Sequence, residues 1–170
     1  MKKIYRTSVL IIDAVMALSL CACGKSDETK DSAAPASVSE TEQLTAAGIL
    51  DKLRDSGLCP QLDERADFGG DVFTNACEKL YGEPPEKFTD GGIMFVSSGA
   101  SADEISVLSS TDADCRQLLE DRKQRRYKDF EGYAPAELEK IEKARIFSAG
   151  GLWVMIISDN AEDAEKLITG

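Results

Sequence analysis

GGIMFVSSGASADEISVLSS, residues 91–110, is the stretch from which the rest of the chain can be read. Two apolar runs, residues 93–96 and 105–108, flank a turn of Ser, Gly and Ala, and small or polar residues bound each run. Strand formers punctuated in this way predict a β-hairpin. Ser110, Thr111 and Asp112 then offer a polar start to a helix, with Thr111 or Asp112 as N-cap and Cys115, Leu118 and Leu119 facing inward.

The same pattern returns downstream. Pro135, in Tyr133-Ala134-Pro135, opens a short helix at the position where its missing N–H costs nothing, with Leu138 and Ile141 inward. A strand over 144–148, a turn at Ala149-Gly150-Gly151, a strand over 152–158 and a helix over 160–168 follow. Ser158-Asp159-Asn160-Ala161 parallels Ser110-Thr111-Asp112-Ala113, each closing a strand and opening a helix. The expectation is an α+β fold: two ββα units forming a four-stranded, mainly antiparallel sheet with helices packed against one face. Residues 152–157 are apolar at both parities, which marks a central strand covered on both sides, whereas Glu104 and Ser106 are expected to turn one face of their strand to solvent.

Upstream of the hairpin, Ala46, Ile49, Leu50 and Leu53 make one apolar stripe, which predicts a helix from about Thr41 to Asp55, stopped by Gly57. After a loop containing Cys59-Pro60, the spacing of Phe73, Ala76, Cys77 and Leu80 predicts a second helix, ended by Gly82 and Pro84-Pro85. These N-terminal helices are candidates to cover the second face of the sheet.

The first 41 residues carry a different message. Lys2, Lys3 and Arg6 precede an apolar run, residues 9–20, broken by Asp13, which reads as an export signal over residues 1–22. Leu20-Cys21-Ala22-Cys23-Gly24 resembles the lipobox of bacterial lipoproteins. Cys23 is the expected lipid acceptor because Ala22 before it is small, whereas Cys21 would follow bulky Leu20. Residues 23–41, rich in Ser, Ala, Asp, Glu and Thr, are expected to form a disordered tether, and residues 42–170 a single domain. The address that follows is the extracytoplasmic face of the cell membrane, reached through an N-terminal lipid such as palmitate.

A net charge of −11 argues against nucleic acid or anionic headgroups as partners of the body. There is no histidine, which removes Ser-His and Cys-His nucleophile systems and histidine metal sites together. Besides Cys23, the domain holds Cys59, Cys77 and Cys115, an odd set without CxxC spacing, read as small buried apolar residues. Asp103-Glu104 and Asp112 with Asp114 are carboxylate pairs that could hold a hard cation through oxygen ligands, yet adjacent strand residues point to opposite faces and Asp112 suits a helix cap, so no metal site is expected. Gly91-Gly92 and Gly150-Gly151 read as a strand start and a turn rather than a phosphate loop. Arg122, Lys123, Arg125 and Arg126, among Asp121 and Asp129, read as the solvated end of a helix.

At Ser98-Gly99-Ala100-Ser101-Ala102-Asp103-Glu104-Ile105 the chain resembles a family of bacterial lipoproteins known as domain of unknown function 4358. Leu80-Tyr81-Gly82, Tyr133-Ala134-Pro135 and Gly151-Leu152-Trp153-Val154 agree with it, with Trp153 standing where the family pattern has Tyr. The resemblance spans roughly residues 44–170 and implies an exported, lipid-anchored domain; it implies no activity, ligand or site residue.

The function expected is that of a non-catalytic interaction or binding module with a protein partner and no cofactor. A solute-binding accessory to a transporter is the alternative, and a carboxylate-based enzyme comes third. If binding is the role, alternation puts Trp153 and Met155 on one sheet face, joined by Phe147 from the neighbouring strand, as a contact surface. The competing reading is that the N-terminal helix covers that face and makes it core.

Overall fold

Thr45 is extended, and its Oγ1 accepts the Gly48 N–H at 3.1 Å; Asp90 Oδ2, from a strand 44 residues on, accepts the Ala46 N–H at 2.9 Å. Two of the four orphan donors at a helix start are thereby satisfied, so α1 runs Ala46–Ser56, starting at Ala46 rather than near Thr41, and Gly57 at φ 70° closes it. The computed structural model describes residues 43–170. The signal read over residues 1–22, the lipidation at Cys23 and the tether over 23–41 lie outside the described residues. Among those described, no helix is long and apolar enough to cross a membrane.

After α1 come β1 (Glu64–Asp67), α2 (Asp71–Ala76), a π-helical turn (Cys77–Tyr81) and a 3-10 turn (Pro85–Lys87). Then follow β2 (Phe88–Phe95), β3 (Glu104–Ser110), α3 (Cys115–Glu131) and α4 (Pro135–Glu142). The chain finishes with β4 (Arg145–Ala149), β5 (Leu152–Ile157) and α5 (Ala161–Thr169). The N-cap of α3 is Asp114, whose Oδ1 accepts the Gln117 N–H at 3.1 Å, and not Thr111 or Asp112. Those two residues belong to the turn before it, where Ser110 Oγ accepts the N–H groups of Asp112 and Ala113. Ser158 Oγ accepts the Asn160 N–H in the same way, so the two strand-to-helix junctions do correspond.

All neighbouring strands are antiparallel, in the order β1-β2-β3-β5-β4. The two ββα units are β2-β3-α3 and β4-β5-α5, and they join through their second strands. The sheet has five strands rather than four. β1 adds itself to the outer edge of β2, Glu64 opposite Phe95 and Asp67 opposite Gly92. Its sequence, Glu-Arg-Ala-Asp, has one apolar residue and carries no strand signal of its own; β2 supplies the ladder that makes it a strand.

Helices cover both faces, but the second cover is not made by the N-terminal helices alone: each face takes one of them together with one helix of the ββα units. On one side α1 and α5 pack Ile49, Leu50, Leu53, Ala164 and Ile168 against Ile105, Val107, Val154 and Ile156. On the other, α2, the π turn, α3 and α4 enclose Phe73, Leu108, Leu119, Phe130, Met155 and Ile157. β5 is buried on both faces between β3 and β4, as its uninterrupted apolar run requires.

Gly91 and Gly92 lie inside β2 rather than at its start. A Cβ on Gly91 would run into the ring of Phe73, and one on Gly92 would meet Leu50 Cδ1 at 2.7 Å. Their missing side chains let α2 close on one face of the strand and α1 on the other. Gly150 and Gly151, at φ 58° and 85°, form the two-residue hairpin turn between β4 and β5, where both positions must be left-handed.

Candidate functional site

Cys115, Leu119, Arg122, Arg126 and Phe130 fall at successive three- and four-residue steps along α3 and share its inward stripe. Two of the four cations read as a solvated run are therefore turned toward the sheet, with side chains only 11% and 13% exposed. Opposite them β3 presents Glu104 and Ser106, both buried; the polar face of β3 is thus covered and not open to solvent. Arg122 donates from Nε to Glu104 Oε1 at 2.9 Å and from Nη2 to Oε2 at 2.5 Å, the parallel pair of bonds that a planar guanidinium and a carboxylate favour. Ser106 donates to Glu104 Oε1 at 3.1 Å and Tyr81 donates to Ser106 Oγ at 2.9 Å, so the chain of bonds runs from the π turn through β3 to α3.

Arg126 is handled differently. Its Nη2 donates to the Ser101 carbonyl at 3.0 Å and its guanidinium lies 4.8 Å from the centre of the Phe130 ring. Its Nε stands 3.4 Å from Glu104 Oε2 but outside bonding geometry, and is buried without a hydrogen-bond partner. Burial, with Arg122 alongside, pulls the Arg126 guanidinium below the ordinary arginine value against the opposing pull of Glu104. For Arg122 the same burial is outweighed by its bonds to Glu104, and its value is raised.

These three side chains line a cavity of about 350 Å³. Val72, Ala76 and Leu80 from α2 and the π turn form one apolar wall, and Phe95 and Val96 from the end of β2 form another. Asn75 and Lys79 stand among them. Lys79 and Leu80 of that wall belong to the π turn, a locally widened helix of the sort that recurs at functional sites; Arg125 of α3 donates from Nη2 to the Leu80 carbonyl and ties that turn to α3.

A second cluster lies at the start of β3. Asp103 and Lys140 are paired at 2.6 Å, both nearly buried, and Glu137 Oε2 accepts the Ala102 N–H at 2.7 Å. Lys140 Nζ also donates to Ser101 Oγ at 3.2 Å, which has the composition of a Ser-Lys nucleophile pair. Burial works against the charge on Lys140, but Asp103 and Glu137 beside it prevail and hold it above the ordinary lysine range. A lysine so charged cannot take the serine proton. The cluster is a fastening: Asp103 holds α4, while Glu104, one residue on, holds α3. The stretch Ser98 to Ile105, which carries the family resemblance, is therefore the part of the hairpin that docks both helices.

The surface expected around Trp153, Met155 and Phe147 does not assemble. Met155 is fully buried beneath the α3 side, and Phe147 pairs with Val154 and lies in the core on the opposite face. Trp153 is half-buried on the α3 side, with the Arg116 guanidinium 5.7 Å from its ring centre. The cover of this face is α3 and its neighbours; α1, the helix expected there, packs on the other side. Cys59, Cys77 and Cys115 are free and buried. Burial pushes all three thiols up, Cys77 to about 11. Among the described residues no group of three or more acidic or cysteine side chains is placed to hold a metal ion.

The cleft was missed from sequence because its charges look like ordinary helix-surface charges. The available signal was positional: Arg122 and Arg126 continue the stripe begun by Cys115 and Leu119.

No curated protein matches the chain, and no solved structure does. A family model matches residues 71–158, just over half of the 170-residue chain, from the start of α2 to the residue after β5. All the residues that line the cleft lie inside that match, while α1 and α5 on the opposite face fall outside it. The chain belongs to the family described as Domain of unknown function (DUF4358).

Proposed function

We propose that this chain is a non-catalytic binding module held at the extracytoplasmic face of the cell membrane by a lipid on Cys23, and that it binds a small ligand in the cleft between α2, the π turn and α3. The observation that carries the binding reading is the cleft itself, where apolar walls converge on a buried guanidinium with unused donors. A few polar groups set in a mostly apolar concavity are the usual composition of a small-molecule site. Of the two binding readings, a solute is favoured over a protein surface, because the aromatic and Met side chains expected to face a protein partner are folded into or against the core. The absence of histidine from the sequence and the charged state of Lys140 both weigh against a nucleophilic enzyme. The anchoring half of the reading rests on Leu20, Ala22 and Cys23 in the sequence.

Each half has its own test. A library of small organic fragments titrated into the full chain and followed by backbone amide NMR should move resonances concentrated at Ala76, Leu80, Val96 and Arg122; shifts scattered over the surface, or none, would sink the cleft as a binding site. Metabolic labelling with palmitate should mark the wild-type chain and not Cys23→Ser. Undiminished labelling of that variant would move the acceptor to Cys21.

A further inference from the structure

The ion pairs at the cleft floor do not balance. Glu104 is one carboxylate facing two guanidinium groups, and both of its oxygens are taken by Arg122, with Ser106 adding a third donor to Oε1. Arg126 has five N–H donors, of which only the one on Nη2 is bonded among the described residues, and that to a neutral carbonyl. A charge 13% exposed that shares its counter-ion, Glu104, with Arg122 is costly to keep, because little water reaches it and one carboxylate cannot neutralise two guanidinium groups. The other charges nearby do not repair this. Lys79 on the opposite wall has the same sign, and Asp129, the acid whose field reaches Arg126 besides Glu104, is solvent-exposed and screened.

We propose that the cleft takes a monocarboxylate with a short apolar chain, its carboxylate received by Arg126 and its chain laid between Val72, Ala76 and Leu80 on one side and Phe95 and Val96 on the other. This rests on the reading of the cleft as a ligand site. One uncompensated positive charge calls for one negative charge, and a forked donor suits a carboxylate. The five apolar side chains select against a bare inorganic anion, which would leave them wet. At about 350 Å³ the cavity sits at the small end of ligand pockets, so a chain of a few carbons fits better than a long acyl tail. Selection by charge is sharp in such a site, because a neutral ligand of the same shape would remove water from Arg126 and return nothing.

The test titrates sodium hexanoate, hexan-1-ol, hexylammonium chloride and inorganic phosphate into the full chain. Each is followed at the Arg126 Nε–H by proton–nitrogen NMR, with Arg126→Lys identifying the resonance by its loss. The expected result is saturable 1:1 binding of hexanoate with a downfield shift of the Nε–H, and binding of hexan-1-ol and hexylammonium at least tenfold weaker. In Arg126→Met, hexanoate should fall to the affinity of hexan-1-ol, which keeps the apolar contacts and loses the fork. Equal binding of hexanoate and hexan-1-ol, or phosphate binding as tightly as hexanoate, overturns the carboxylate-and-chain assignment while leaving the cleft a binding site. If none of the four probes binds and the fragment library also leaves the cleft unmoved, both readings fall together. Should Arg126→Met fail to fold, the ranking of the four probes on the wild-type chain decides the question alone.

Discussion

Arg122 and Glu104, 18 residues apart in sequence, meet through two parallel charge-assisted bonds of 2.9 and 2.5 Å, with the carboxylate only 1% exposed. The pair joins the centre of α3 to the start of β3 and closes the floor of the cleft. Breaking such a pair from one side differs from removing it, because the surviving partner stays buried and charged.

Glu104→Gln should therefore cost about 3–5 kcal/mol, the usual penalty for orphaning a buried charge, increased in effect by the second guanidinium next to it. Glu139→Gln, which removes a solvent-exposed partner of Lys143, should leave the urea midpoint unchanged. Urea denaturation of the two variants side by side checks this; equal midpoints would mean that the cleft floor is open to water.

The sequence reads Ser106 as a residue on a solvent-facing strand face, where a charge would be mild, and the structure reverses that. It is fully buried between Tyr81 and Glu104, and Ser106→Asp would set a second carboxylate against Glu104 Oε1. Its loss of thermal stability should approach that of Val154→Asp, which buries an unpaired charge in β5. Ser106→Ala should cost about 1–3 kcal/mol, since it strands the Tyr81 hydroxyl without an acceptor. A melting temperature for Ser106→Asp within a degree of wild type would show the polar face of β3 to be wet.

The alkaline limb of stability should fall in two stages. Cys77, pushed up to about 11 by burial, stays neutral in the fold while an unfolded thiol ionises above 9.0. Its contribution is complete below pH 9 and is lost as pH rises toward 11. Lys140 is raised above 10.5, so the fold favours its charged form; that contribution is complete below 10.5 and is lost as pH climbs through the higher folded value. Melting temperatures measured from pH 8 to 11.5 should decline from about pH 9, and Cys77→Ala should make the first stage shallower, with Cys59 and Cys115, also raised by burial, keeping the remainder. A flat profile to pH 11 would contradict the burial of Cys77.

Trp153, the single tryptophan, reports on the cover of its face. With Arg116 lying over the ring and α3 beside it, its emission should be intermediate in wavelength and only partly quenched by acrylamide. Arg116→Ala should increase quenching about twofold without changing the melting temperature by more than a degree or so, since a surface cation–π contact is worth well under 1 kcal/mol. Full quenching of the wild type would show the ring to be free.

Local sequence determined those features whose cause is local. The β4–β5 turn follows from two adjacent glycines, the Pro135 start of α4 from a ring that fits only the first turn, and the burial of β5 from apolar residues at both parities. The two ββα units were readable because each is built from contacts between neighbours in the chain. Tertiary structure alone decided the rest. β1 is a strand because β2 offers it a ladder, Gly91 and Gly92 sit mid-strand because helices from elsewhere press on both sides, and Ser106 is buried because Tyr81 and α3 close over it. Above all, Arg122 and Arg126 cannot be told from Lys123 and Arg125 by composition. The place of Arg122 and Arg126 on the Cys115-Leu119 stripe marks them as inward, but that the stripe meets Glu104 is decided only once β3 and α3 are packed, and on that rests the charge imbalance that makes the cleft a candidate site.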